Sequence, residues 1–139
     1  MVNIKLNKPK VDFSGKRLHI VFMPDADTTT KELHDEHGVN VVSHLARLDR
    51  LLKRLAESGR LKSPDEFREE TPGFYAVRAL PLRAYGWFEP GCFVVSHLVW
   101  KKTQKLSEAD KRKMNRNKDD YIRPSEIPVV SKIPLKILR

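Results

Sequence analysis

The chain has 139 residues and carries 27 Lys and Arg against 18 Asp and Glu, a formal net charge of +9. At this length, with 40% apolar residues, one domain with a modest core is expected, and the cationic excess points either to polyanionic partners (RNA, DNA or the ribosome) or to a basic protein with no such role. The single cysteine, Cys92, excludes a disulfide framework within the chain and a cysteine-rich zinc site; with no membrane-length apolar run and no signal-type stretch at the N-terminus, the expected location is the cytoplasm, away from membranes.

Residues 1–16 alternate Lys, Asn, Pro and apolar residues and read as an irregular or extended arm. Residues 17–23 alternate as a first strand, with Leu18, Ile20 and Phe22 on one face. The polar, turn-rich stretch that follows reads as a loop, with a short helical turn around Thr30–His37. The spacing of Val41, Leu45, Leu48, Leu52 and Leu55 predicts a helix over 41–58, capped by Asn40 and stopped by Gly59. Arg47, Arg50, Lys53 and Arg54 fall on its other face. Ser63-Pro64-Asp65-Glu66 has the form of a capping box with proline at the first helical position, which predicts a second short helix ended by Thr71-Pro72-Gly73.

Three strands follow over 74–80, 82–88 and 92–100, with Pro81 between the first two and Glu89-Pro90-Gly91 as the hairpin turn between the others. A last helix opens at Ser107, with Asp110 at the capping-box position, and runs to about Tyr121. Residues 101–123 hold nine Lys and Arg against four Asp and Glu. The tail, 124–139, is apolar and β-prone but broken by prolines, and is expected to dock along a sheet edge or a neighbouring subunit. The order strand-helix-helix-strand-strand-strand-helix over 17–123 predicts an α+β domain, a small antiparallel sheet with helices packed on one face.

Within that order, several elements stand close together: Val77-Arg78, Arg83 on the next strand, the aromatic run Tyr85-Gly86-Trp87-Phe88, the apolar strand Val94–Trp100, and Lys101-Lys102-Thr103-Gln104-Lys105 ahead of the last helix. Over roughly residues 17–121 this set resembles the RelE/ParE toxin superfamily, and within it the HigB-like, phage-derived host-inhibition branch. The resemblance implies a RelE-like fold with a concave basic sheet face. It implies a toxin of a type II toxin–antitoxin system, a ribosome-associated endoribonuclease that cleaves mRNA without metal or other cofactor. It also implies a cognate antitoxin that covers the basic face or remodels the last helix. The implied chemistry is attack of a ribose 2′-hydroxyl on the adjacent phosphate, which needs a proton acceptor, a proton donor for the leaving 5′-oxygen, and cations for the transition state. Two departures are visible: Phe74-Tyr75-Ala76-Val77 lacks the strand lysines that some members carry, and the histidine-tyrosine end of other branches has no match.

Arg83 matches the family's strand arginine and suits bidentate phosphate binding, or else ends a strand in a salt bridge. Lys102 matches the basic residue after the last strand. Lys101 should face the other way if the strand continues, so one of the pair reaches the concave side. Arg78 either contacts RNA or ties strands and helices together. His97 suits a general base or acid, or is a hydrogen-bonded packing residue within an apolar strand. Tyr121 either transfers a proton at the sheet edge or packs the helix end. Tyr85 and Trp87 share a face and could stack on bases, although most aromatics of so small a domain must form its core. Lys105, Lys111 and Arg112 extend the basic surface toward a phosphate backbone.

His34-Asp35-Glu36-His37 concentrates metal-ligand residue types without a third ligand at a recognisable spacing, which reads as a solvated polar cluster. Two other functions fit the same residues: a non-catalytic RNA- or ribosome-binding relative, and a phage or mobile-element inhibitor that binds a host protein.

Overall fold

The computed structural model describes residues 10–101 and 106–121. Lys102, Lys105 and the tail 124–139 lie outside the described residues. The chain forms β1 (Lys10–Ser14), β2 (His19–Phe22), α1 (Pro24–His37), α2 (Val39–Ser58), β3 (Phe67–Thr71), β4 (Phe74–Ala79), β5 (Leu82–Glu89), β6 (Cys92–Trp100) and α3 (Glu108–Tyr121). The strands make one six-stranded sheet in the order β1-β2-β6-β5-β4-β3. The expected mixed α+β class therefore holds, while the element order differs in three places.

First, part of the stretch read as an arm is an edge strand: Lys10–Ser14 pairs antiparallel with β2. Second, residues 24–37 are a helix and not a loop. Pro24 starts it, Asp25 and Asp27 sit in its first turn, and His34 and His37 in its last, as the helix dipole favours. Its buried positions are Ala26, Thr29 and Leu33, too sparse an apolar stripe to stand out in the sequence. The threonine run is accommodated because Thr29 Oγ1 donates to Asp25 O and Thr30 Oγ1 to Ala26 O, returning each hydroxyl to the preceding turn. Third, the helix predicted from Ser63 lasts a single turn. Asp65 N donates to Ser63 Oγ, and Glu66 N and Phe67 N donate to Ser63 O. The chain then extends as β3, where Phe67 stacks on Tyr75 of β4 with ring centroids 5.1 Å apart. Pro72-Gly73, read as a helix stop, is the hairpin turn between β3 and β4, with Gly73 at φ 84° supplying the left-handed position.

The sheet is not wholly antiparallel. β2 runs parallel to β6 in the register Ile20 to Phe93 and Val21 to Val94, and the other pairings are antiparallel. Nor are the helices on one face. α1 and α2 pack Leu33, Val41, Leu48, Leu52 and Leu55 against Ile20, Val77, Leu82, Phe93 and Val95. Each such buried leucine stabilises by about 1.5–3 kcal/mol. α3 covers the opposite face, where Met114 meets Val21, Ala76, Tyr85, Trp87 and Val94.

Strand alternation alone would place His97 on the α1–α2 side, in line with Phe93 and Val95. A β-bulge changes that. Tyr85 pairs with His97 and the next residue, Gly86, pairs with Val95, so Ser96 is the extra residue. Leu98 is thereby returned to the α1–α2 core, and His97 turns toward α3. Gly86 is required at this bulge, because a Cβ there would overlap the Val94 carbonyl oxygen. Leu98 N donates to Thr29 Oγ1 at 2.9 Å, so a threonine of α1 takes up a strand N–H just past the bulge.

Candidate functional site

The bulge, the end of β6 and the inner face of α3 build one continuous polar layer. His97 is fully buried, with Nδ1 2.8 Å from Ser96 Oγ and Nε2 3.0 Å from Asp110 Oδ1. Asn117 Nδ2 donates to Ser96 Oγ at 2.9 Å and to Asp25 Oδ2 at 3.0 Å. Ser107 Oγ donates to Asp110 Oδ2 at 2.8 Å, and Lys101 Nζ lies 3.5 Å from the same oxygen. One proton arrangement uses this whole chain: Asn117 to Ser96, Ser96 to Nδ1 of His97, and Nε2–H of His97 to Asp110. It joins α1, β6 and α3.

Burial by itself would raise the Asp110 carboxyl. Hydrogen bonds from His97 and Ser107, with the charge of Lys101 nearby, overcome that and hold it at about 2. The residue types are those of a serine–histidine–aspartate triad, but the two imidazole nitrogens are exchanged and the accessibility is missing. Ser96 and His97 expose 0% of their surface, and Ser96 Oγ already accepts from Asn117. An acyl group has no path to that oxygen, so the arrangement works as a clamp for α3.

Beside the clamp lies a cluster of cations on the same sheet face. Arg78 and Arg83 are directly opposite each other on β4 and β5. They are 3% and 1% exposed, which places both guanidinium stems inside the protein. Arg83 Nη1 donates to Lys101 O at 3.4 Å, while its Nε is buried without a hydrogen-bond partner among the described residues. Arg78 Nη1 donates to Pro64 O at 3.2 Å. Burial and the fields of Arg68 and Arg83 push the Arg78 guanidinium below its ordinary value, against Glu70 and Asp65. Glu70 on β3 is itself buried, 3.7 Å from Arg68 Nε. Arg68 and Arg83 thus act on Arg78 together with two acids, Glu70 and Asp65, which leaves three guanidiniums against two carboxylates, a local excess of positive charge that suits an anionic ligand.

The residues singled out in the sequence separate into two groups. Arg78, Arg83, Tyr85, His97 and Lys101 come together on the α3 side. Lys101 Nζ stands 5.5 Å from the centre of the Tyr85 ring, and that ring lies 5.5 Å from His97. Burial raises the Tyr85 hydroxyl pKa, opposed by Lys101. Trp87 and Tyr121 sit apart, four residues along β5 from Arg83, or about 13 Å at strand rise. Their rings are 6.2 Å apart, and Trp87 Nε1 donates to Glu89 Oε2 at 2.8 Å. Burial first, then Cys92, pushes the Tyr121 hydroxyl well above its ordinary range. Burial likewise raises the Cys92 thiol, 3.6 Å away, which keeps it protonated and unreactive. Tyr85 and Trp87 are both fully buried, so neither ring presents a face on which a base could stack. On α3, Lys111 is half-buried and Arg112 exposed.

Asp110, Ser96, Asn117, Arg68 and Glu70 belong to no site pattern legible in the sequence. Asp110 was legible only as a cap, and the cap is present, with Asp110 N donating to Ser107 Oγ. The pattern Asp110, Met114, Asn117, Tyr121 at helical spacing is the signal that α3 has a half-polar inner face. No metal-binding group of His, Cys, Asp and Glu forms among the described residues, and His37 of the 34–37 cluster instead stacks on Trp100. No described helix is long and apolar enough to cross a membrane. Compared with models of known protein families and with curated proteins, the sequence finds no match.

Proposed function

We propose that this chain is a RelE/HigB-like toxin of a type II toxin–antitoxin system, a cytoplasmic, ribosome-associated mRNA endoribonuclease that needs no metal. The observation that carries the reading is the cross-strand pair Arg78 and Arg83 on the α3 side of the sheet, with Lys101 leading into Lys102-Thr103-Gln104-Lys105. The order of one strand, two helices, further strands and a last helix over the middle of the chain supports it as well.

In this reading, the guanidiniums neutralise the scissile phosphate as the 2′-oxygen forms its bond to phosphorus and the bond to the 5′-oxygen breaks. One proton leaves the 2′-hydroxyl and one reaches the 5′-oxygen. His97 has both nitrogens engaged and Tyr121 is held above its ordinary pKa, so the nearest sequence candidate for moving these protons is Lys102. With Arg83 at 1% exposure, RNA reaches it only after local opening of this face. A cognate antitoxin acts by holding that face closed or by covering it.

The engaged histidine and the buried aromatics favour a second reading, a non-catalytic relative that binds RNA or the ribosome. Inducing the protein in bacteria and mapping RNA 5′ ends separates the two. Cuts within translated codons should fall by about 10²–10³-fold in Arg83→Ala, the usual effect of removing one transition-state cation, and by about 10²–10⁴-fold in Lys102→Ala, the usual effect of removing a proton-transfer group. Because Arg83 is buried, Arg83→Lys and a circular dichroism spectrum of each variant distinguish lost chemistry from lost fold. RNA binding without any cuts in wild type would leave the binding module; growth arrest with neither would point to inhibition of a host protein.

A further inference from the structure

The outer face of α2 carries a second cationic surface, separated by the sheet from the Arg78 and Arg83 pair. Arg47, Arg50 and Arg54 are all exposed. At helical periodicity they fall within about 60° of arc and span about 10 Å along the axis. The row continues past the helix end into a cleft of about 460 Å³, lined in part by Arg54, Arg60, Lys62 and Leu61. The acids nearby are already engaged. Asp49 holds Lys53 at 2.8 Å, Glu66 lies 3.4 Å from Arg54, and Glu57 accepts from Lys16 N. Arg47, Arg50, Arg60 and Lys62 have no ion-pair partner among the described residues. In a protein of net charge +9, this is a ridge of net positive charge on a rigid support, with Arg54 the one member of the row that is paired, to Glu66.

We infer that this ridge is a second RNA-binding surface, which grips the phosphate backbone of a structured RNA independently of the α3-side site. The inference rests on RNA being the partner, as proposed above, and not on cleavage. A protein partner is disfavoured by composition. Protein interfaces are anchored by buried apolar or aromatic side chains, whereas nucleic-acid interfaces are polar and strongly positive. The exposed apolar residues of α2, Val39 and Val42, lie in its first turn, ahead of the arginines. The row itself has no exposed aromatic on which an unpaired base could stack, so the contact is to backbone and indifferent to sequence. Two basic surfaces on opposite sides of one sheet let the chain bridge RNA segments, one at each face.

The test is fluorescence anisotropy with a labelled RNA duplex of about twenty base pairs over a salt series. Arg47→Gln/Arg50→Gln/Arg54→Gln should lower the slope of log affinity against log salt by about two to three, at about 0.7–0.9 per lost phosphate contact, and weaken binding at least tenfold. Arg60→Gln/Lys62→Gln should lower it by one to two, about one per residue. Val39→Ser/Val42→Ser should change neither quantity. Thermal melts of each variant report folding. A folded triple variant with the wild-type slope overturns the inference while leaving the toxin reading intact. A wild-type protein that does not bind the duplex overturns the inference, while the toxin reading stands or falls on the mapping of RNA 5′ ends. Competition by poly-glutamate as effective, charge for charge, as by RNA assigns the ridge to acidic proteins and overturns it too.

Discussion

Nε2 of His97 lies 3.0 Å from Oδ1 of Asp110, and this contact fastens the last helix to the middle of the sheet. The apolar anchoring of α3 is slight, since only Met114 and Asn117 are buried along it. The helix that covers the Arg78 and Arg83 face is therefore held mainly by polar bonds in a dry layer. Such bonds are strong while complete and costly when broken.

Stability should fall in acid through Asp110. Its carboxyl titrates at about 2 in the folded protein and near 3.8 when unfolded, so its contribution is complete above about pH 5 and is lost progressively as pH falls to and below 2. After allowance for solvent screening at a partly exposed group, this amounts to roughly 1 kcal/mol. Urea unfolding of wild type and Asp110→Asn at pH 7 and pH 2.5 measures it. The gap between the two proteins should narrow by about two-thirds of that amount at the lower pH.

Asn117→Leu should destabilise by about 1–3 kcal/mol, because it strips partners from both Ser96 and Asp25 inside the layer. Hydrogen exchange should speed up first along α3 and least in β5. Uniform acceleration across the protein would show that α3 opens only with global unfolding.

Gly86→Ala should cost at least about 3 kcal/mol or prevent folding, since the new methyl group meets the Val94 carbonyl and neither backbone can retreat within a six-stranded sheet. A thermal melt close to wild type would mean the bulge is not where the register places it.

Tyr85→Phe should leave stability unchanged or raise it by up to about 1 kcal/mol. The Tyr85 hydroxyl is buried and its bonding to the Lys101 side chain falls short of good hydrogen-bond geometry, so phenylalanine keeps the ring against His97 while removing most of that cost. A loss above about 1 kcal/mol in denaturant titrations would mean that the hydroxyl is satisfied in solution, by water or by a neighbour.

Much of this was legible in the chain itself. The leucine spacing of α2, the proline–glycine turns and the apolar strands are local patterns, and local patterns need only neighbouring residues to be read. They determined the three consecutive strands and α2 apart from its start, which lies at Val39 with Gly38 and not Asn40 at the cap; Arg78 and Arg83 stand out only through the resemblance to the toxin superfamily. Other features depended on residues far apart in sequence. α1 is not legible because Leu33 is the one large apolar residue in its buried stripe beside Ala26 and Thr29, and β3 because strand pairing with β4 overrides a helix-start signal that yields one turn. The parallel pairing of β2 with β6 joins residues separated by most of the domain, which no local pattern encodes. Above all, the bulge at Ser96 turned His97 from one core to the other and closed it onto Asp110. By itself the sequence determined which residues could be acidic, basic or buried. Only the tertiary structure decided which of them meet, because a single unpaired residue in one strand reverses the face of everything beyond it.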